Sequence, residues 1–197
     1  MHSQIFISAL VAFFSAIPTV TALPSPVAEP SIGTFETVTE IPDGLWSGYT
    51  LPNGTMVATS HLSKRTIIFH PPQDTRLNRR SESLSKRFTS CWGTQLDRYG
   101  TDEAAQCLRN AGAAPGGIDL RTPSGSGLFT SCVSAAVRVY YCVNKPNSWG
   151  NANLEDVNYG LRQMDAACPA YTAGYFQWDG TPEILGKARA DTSICLP

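Results

Sequence analysis

Six cysteines (Cys91, Cys107, Cys132, Cys142, Cys168 and Cys195) and three histidines (His2, His61 and His70) have the most nameable chemistry in this chain, and the chain keeps them apart. Every histidine precedes the Lys86-Arg87 pair, and every cysteine follows it. Zinc sites usually set ligands a few residues apart, whereas the two closest cysteines here have nine residues between them. With no imidazole in residues 88–197, that segment lacks the parts for a Ser-His-Asp triad, a Cys-His dyad, His-dependent ribonuclease chemistry or a His-ligated metal site. Carboxylate or lysine chemistry remains, for instance glycoside hydrolysis by two carboxyl groups about 5–10 Å apart. The carboxylates have simpler reasons for their positions. Asp102-Glu103 follow Thr101, and Glu155-Asp156 follow Asn153, each at the start of an expected helix, where acids complement the macrodipole and Thr101 and Asn153 cap. Asp179 in "WDG" reads as a hairpin turn. No catalytic, cofactor-binding or metal-ligating residue is assigned, and no cofactor is expected.

The amino end directs the rest. Residues 5–17, "IFISALVAFFSAI", form an apolar run of thirteen, followed by Pro18 and by small residues suited to cleavage after Ala22. The run is too short for a bilayer that needs about 20 residues, so residues 1–22 read as a secretory signal and no membrane anchor is expected. Residues 23–87 read as propeptide or linker, rich in proline at first and basic later. Three dibasic pairs suit a kexin-type protease cutting after Arg65, Arg80 or Arg87, the last leaving Phe88 at the new amino end. Within this leader, "TFETVTEIPDGLWSGYTLPNGTMVATS" alternates apolar and polar residues around "PDG" and "PNG", the pattern of a hairpin. Asn53-Gly54-Thr55 within it is a glycosylation sequon.

Residues 88–197 then form the working domain. Ten Asp and Glu against eight Lys and Arg give a net charge of −2, and no basic stripe for nucleic acid. Six cysteines behind a secretory signal imply three disulfides in an extracellular protein. A helix is expected over 102–111, stopping at Gly112, and a second where Leu154, Val157, Leu161, Met164 and Cys168 form one stripe before Pro169. Gly160 within that stripe permits close packing. The stretch "FTSCVSAAVRVYYCV", 129–143, alternates as one long strand, which sets Cys132 and Cys142 about 33 Å apart at the usual rise of about 3.3 Å. "GGIDLRT", "TAGYFQWDG" and residues 89–96 read as further strands. The expected class is α+β: a small disulfide-rich split βαβ sandwich in βαββαβ order, with two helices on one face of an antiparallel sheet. Helices returning along such a sheet favour the pairs Cys132–Cys168 and Cys107–Cys142, with Cys91–Cys195 tying the termini, one of the fifteen connectivities that six cysteines allow.

An opening Cys91, "AAQCLRNAG", "GLFTSCVSAAVRV", "NANLEDVNYGLRQM" and "AGYFQWDG" occur in an order that resembles the necrosis-inducing, cysteine-rich extracellular effectors of plant-pathogenic fungi, over roughly residues 91–195. The βαββαβ order with three disulfides also resembles the small killer toxins that fungi secrete. The first resemblance implies a secreted effector acting without catalysis on a host protein or cell-surface target. The second implies a toxin against competitor cells, and a carboxylate glycosidase is the third reading. Proteins of the first kind act by contact, which singles out Trp149, Tyr171, Tyr175, Phe176 and Trp178, with Trp92, as interface candidates.

Overall fold

In a computed structural model, which describes residues 36–38, 40–70, 88–122 and 127–195, the apolar stretch from Phe129 to Val143 is a hairpin rather than one long strand. Its arms, Leu128–Ser134 and Val137–Val143, pair in antiparallel register from Leu128↔Val143 to Ser134↔Val137. Ala135 and Ala136 make the turn, both at positive φ, as the two central residues of a type I′ turn must be. Alanine gives no turn signal, so the alternation runs through the corner unbroken in the sequence. The described residues all fall within one unit, spanning 32–197.

In chain order the elements are β1 (Glu36–Val38), β2 (Gly44–Thr50), β3 (Met56–Ser60), β4 (Thr66–Phe69), β5 (Phe88–Gln95), α1 (Arg98–Gly112), β6 (Ile118–Thr122), β7 and β8 (the hairpin), β9 (Ser148–Ala152), α2 (Leu154–Ala167), β10 (Thr172–Gln177) and β11 (Glu183–Arg189). Nine strands form one sheet, β1-β4-β3-β2-β7-β8-β11-β10-β5, antiparallel except where β1 meets β4, while β6 and β9 pair separately. The mixed class and the large antiparallel sheet agree with expectation. The βαββαβ order does not describe it: β8, β9 and β11 are additional, and residues 36–69 of the expected leader supply four strands of the same sheet. The expected hairpin in that leader is β2–β3, joined through "LPNGT", where the Gly54 amide donates to the Leu51 carbonyl.

Both helices cover one face of the sheet, burying Ala104, Leu108, Val157, Leu161 and Met164 against Cys132, Val139, Tyr141, Phe176 and Leu185. On the opposite face, Phe129, Val133, Tyr140, Cys142, Ile184 and Ile194 pack with Trp46, Met56, Ile67 and Phe69 of the leader strands. Strands separated by β2 and β7 in sheet order thus share one interior, so the sheet curls around it. Gly160 is the close approach that its place in the α2 stripe suggests: a Cβ there would lie 3.0 Å from Leu185 Cδ2.

Capping follows expectation in α2, where the Asn153 side chain accepts from the Asp156 amide at 2.9 Å and Glu155 and Asp156 occupy the first turn. It departs in α1, which starts at Arg98. Asp97 is the cap, accepting from the Gly100 amide at 2.6 Å, whereas Thr101 is buried and donates to the Asp97 carbonyl. Gly112 is helical, and its bareness admits the chain at Ala152–Leu154 rather than a left-handed turn.

The disulfides are Cys91–Cys168, Cys107–Cys132 and Cys142–Cys195, none of them the expected pairs. The corner at Ala135-Ala136 is the reason. Folding the strand back places Cys132 on the helical face, beside α1, and Cys142 on the interior face, beside the C-terminal segment. Peptide mapping of the non-reduced protein is expected to return these three pairs. Ala136→Gly removes a left-handed penalty of about 1 kcal/mol and is expected to raise stability by that amount, read as a Tm increase of several degrees.

Candidate functional site

A groove of about 540 Å³ lies on the interior face of the sheet, beyond the roof formed by the leader strands. Its floor is Tyr140, Ile184 and the Cys142–Cys195 bridge; Tyr175 and Gln177 make one wall; Asn144 and Lys145 stand at its rim. Sheet register builds the floor. Tyr140 lies opposite Gly186, where a Cβ would meet the tyrosine ring at 2.3 Å, so the ring lies across the glycine backbone. The turn 178–182 closes the far end, with Gly180 at positive φ, as "WDG" suggests.

An aromatic strip runs outward from the Tyr175 wall. The ring of Tyr175 meets Trp92 edge-on and Phe88 at a tilt, each at 6.0 Å between centroids, and all three are half-buried. Antiparallel pairing of β5 with β10 makes this inevitable, because Tyr175↔Ser90 puts Phe88 and Trp92 diagonally across from Tyr175 on its own face. β5 is an edge strand of the sheet. Groove and strip together offer an apolar surface with polar groups at the margin, the composition of a binding site.

The interface candidates from sequence do not converge. Trp149 is 67% exposed on β9, in the separate two-stranded sheet. Tyr171 is tied to the start of α1, its hydroxyl donating to Asp102 at 3.4 Å and its ring 5.6 Å from the Arg98 guanidinium. Phe176 is buried beneath α2 and offers no surface, and Trp178 packs on Phe176 and Tyr141. Tyr175 and Trp92 are the two that meet beside the groove. Phe88, Tyr140, Lys145 and Gln177 escaped sequence reading because their proximity depends on the order β8-β11-β10-β5, which no local pattern encodes.

Among the candidate processing and glycosylation residues, Asn53 and Arg65 sit apart from the groove. Asn53 is exposed on the β2–β3 turn, its Oδ1 accepting from the Thr55 amide at 3.0 Å. Lys64-Arg65 are exposed but held in the β3–β4 turn, where the Ser60 amide donates to the Arg65 carbonyl, so a protease needing extended chain must first open that turn. Ala22, Arg80 and Arg87 lie outside the described residues.

Most carboxylates have structural partners. Asp97 caps α1 and Asp156 bonds Asn153. Asp165 pairs with buried Lys187 at 2.6 Å, and Asp191 pairs with Arg189. Asp119 is held below its ordinary pKa by hydrogen bonds from Asn151 and Arg121. Glu183 accepts from the Tyr141 hydroxyl at 2.5 Å, and burial, with that carboxylate alongside, pushes the phenol well above its usual range. In the leader strands Ser47 Oγ lies 2.7 Å from His61 Nε2, and burial followed by the Lys64 charge lowers the imidazole pKa. Among the described residues the ring makes no other side-chain hydrogen bond, so it lacks the carboxylate that orients a triad.

Arg138, 1% exposed in the shared interior, is a poorly satisfied charge. Its Nη1 donates to Met56 Sδ at 3.1 Å and to the Thr192 carbonyl at 3.5 Å, while Nε has no hydrogen-bond partner. Burial pushes its pKa down to about 10, leaving it charged at neutral pH. A buried cation with so few partners costs more than an apolar chain of the same shape. Arg138→Met is therefore expected to hold or raise stability, by about 1–2 kcal/mol in denaturant titration; a loss of that size would assign the guanidinium a structural partner.

Among the described residues no helix is long and apolar enough to cross a membrane. Comparisons of the chain with protein-family models, with curated proteins and with solved structures found no match.

Proposed function

We propose that this chain is the precursor of a small exported protein that acts by contact on a host protein, as an effector, and that the groove with its aromatic strip is the contact surface. The observation carrying this reading is the junction of Phe88, Tyr175 and Trp92 with the Tyr140 floor: half-buried aromatic rings beside a concave surface, with Lys145 and Gln177 at its margin. Aromatic anchors seated in such surroundings dominate binding energy at protein interfaces. Three disulfides typify proteins that fold outside the cytosol, which favours export. The structural use of most carboxylates favours binding over glycoside hydrolysis. The order of cysteine-bearing elements, similar to fungal effectors, favours a host target over a competitor cell.

The test is infiltration of the purified protein into plant tissue beside a growth assay on other fungi. Wild type is expected to provoke or suppress a host response; growth inhibition alone would transfer the reading to a toxin. Tyr175→Ala is expected to weaken the response about tenfold, roughly 1.4 kcal/mol, with an unchanged disulfide map. Trp149→Ser, exposed on the other sheet, is expected to leave it intact. An equal loss in both variants, or a loss confined to Trp149→Ser, would remove the groove from the proposal.

A further inference from the structure

No cysteine precedes Cys91, so the three disulfides join residues 91–195 to one another and to nothing earlier. A cut at Arg79-Arg80 or Lys86-Arg87 would leave no covalent link between β1–β4 and the cysteine region. We infer that such a cut does not release β1–β4, and that the processed protein is a two-chain molecule in which residues 36–69 remain seated on residues 88–195. The cut itself rests on the export and processing reading; the seating rests on the interface alone.

That interface is built like a domain interior. β2 and β7 pair continuously from Gly44↔Val133 to Tyr49↔Leu128, so the leader hairpin occupies a backbone edge of β7. Side chains from both sides are excluded from water: Trp46 is 3% exposed, Met56, Ile67 and Phe69 are at 0%, and so are Phe129 and Ile194 opposite them. Three polar contacts fix the register at the far end. The Thr50 hydroxyl donates to the Ile194 carbonyl at 2.6 Å, the Thr50 amide to the Gly127 carbonyl at 3.0 Å, and the Ser193 hydroxyl to the Gly54 carbonyl at 3.1 Å. Departure of β1–β4 would turn β7 into an open edge beside an uncovered apolar face, the arrangement most prone to aggregate. It would also expose the leader's own apolar side chains. Arg138, buried and with Nε unpartnered, would gain water from separation, but the apolar side chains around it outnumber it.

The experiment uses the full secreted chain. It is cut with a kexin-type protease, or at a recognition sequence inserted between residues 71 and 87 where the dibasic pairs resist, then run by size exclusion with and without denaturant. Under native conditions both fragments are expected in one peak at equal amounts. In denaturant without reductant they are expected to part, because no sulfur bridge spans the cut. Trp46→Ala, folded while the chain is intact, is expected to shed the leader fragment at a concentration at least tenfold higher than wild type after the same cut. A leader fragment that elutes alone from wild type, whether the remainder is soluble or aggregated, would overturn the inference. So would identical behaviour of wild type and Trp46→Ala. Because the cut is made in vitro, neither result depends on whether the groove has a host target.

Discussion

The β7–β8 hairpin is apolar on both faces, and the rest of the molecule is arranged around that fact. In β8 all seven residues are buried: Val139, Tyr141 and Val143 face the helices, while Arg138, Tyr140 and Cys142 face the curled interior. A strand wet on one face alternates with polar residues; one buried on both does not. Two covers are required. Helices α1 and α2 supply one, and residues 36–69 supply the other as an antiparallel meander, β2-β3-β4, with β1 parallel to β4. Without the second, the most apolar element of the cysteine region would be half exposed.

The covers are secured differently. On the helical side, Cys107–Cys132 fastens α1 to β7, and Cys91–Cys168 fastens β5 to the end of α2. Cys142–Cys195 anchors the C-terminal segment across the interior face, bringing Ile194 beneath β2 and β3. Each bridge restricts the unfolded chain by about 2–4 kcal/mol. The leader strands have only packing and hydrogen bonds. The contact of Arg138 with Met56 Sδ lies on this unbridged seam, where a buried guanidinium meets a thioether instead of a carboxylate.

Much of this was legible, unevenly. Asn153 with its acidic first turn and the stripe Val157–Leu161–Met164 located α2, because a cap and a 3.6-residue period are local signals. "PNG" and "WDG" located two turns for the same reason. Asp97 looked unremarkable, and Thr101, which looked like a cap, is interior; α1 therefore begins a turn earlier than its acids suggest. The corner at Ala135-Ala136 was invisible, and what was read from an unbroken strand failed with it, including the expected partners of Cys132 and Cys142. The apolar character of both parities in "SCVSAAVRVYYC" already implied two covers. Shortness hid the second, since β1–β4 run three to seven residues and each places only one or two large apolar side chains in the shared interior.

The groove inherits its shape from these constraints without using the leader. Every described residue lining it lies between Tyr140 and Cys195, and its aromatic extension begins at Phe88. The leader strands act on it indirectly, by roofing the other end of the same face and by holding Ile194, next to Cys195, through the Thr50 hydroxyl. The Cys142–Cys195 bridge consequently serves two ends: it is floor to the groove and the far limit of the interior that the leader closes. A groove bounded by a disulfide, a tyrosine laid on a glycine and an edge strand has little freedom to rearrange. Recognition there would depend on shape set in place before any partner arrives, which lowers the ordering cost of binding.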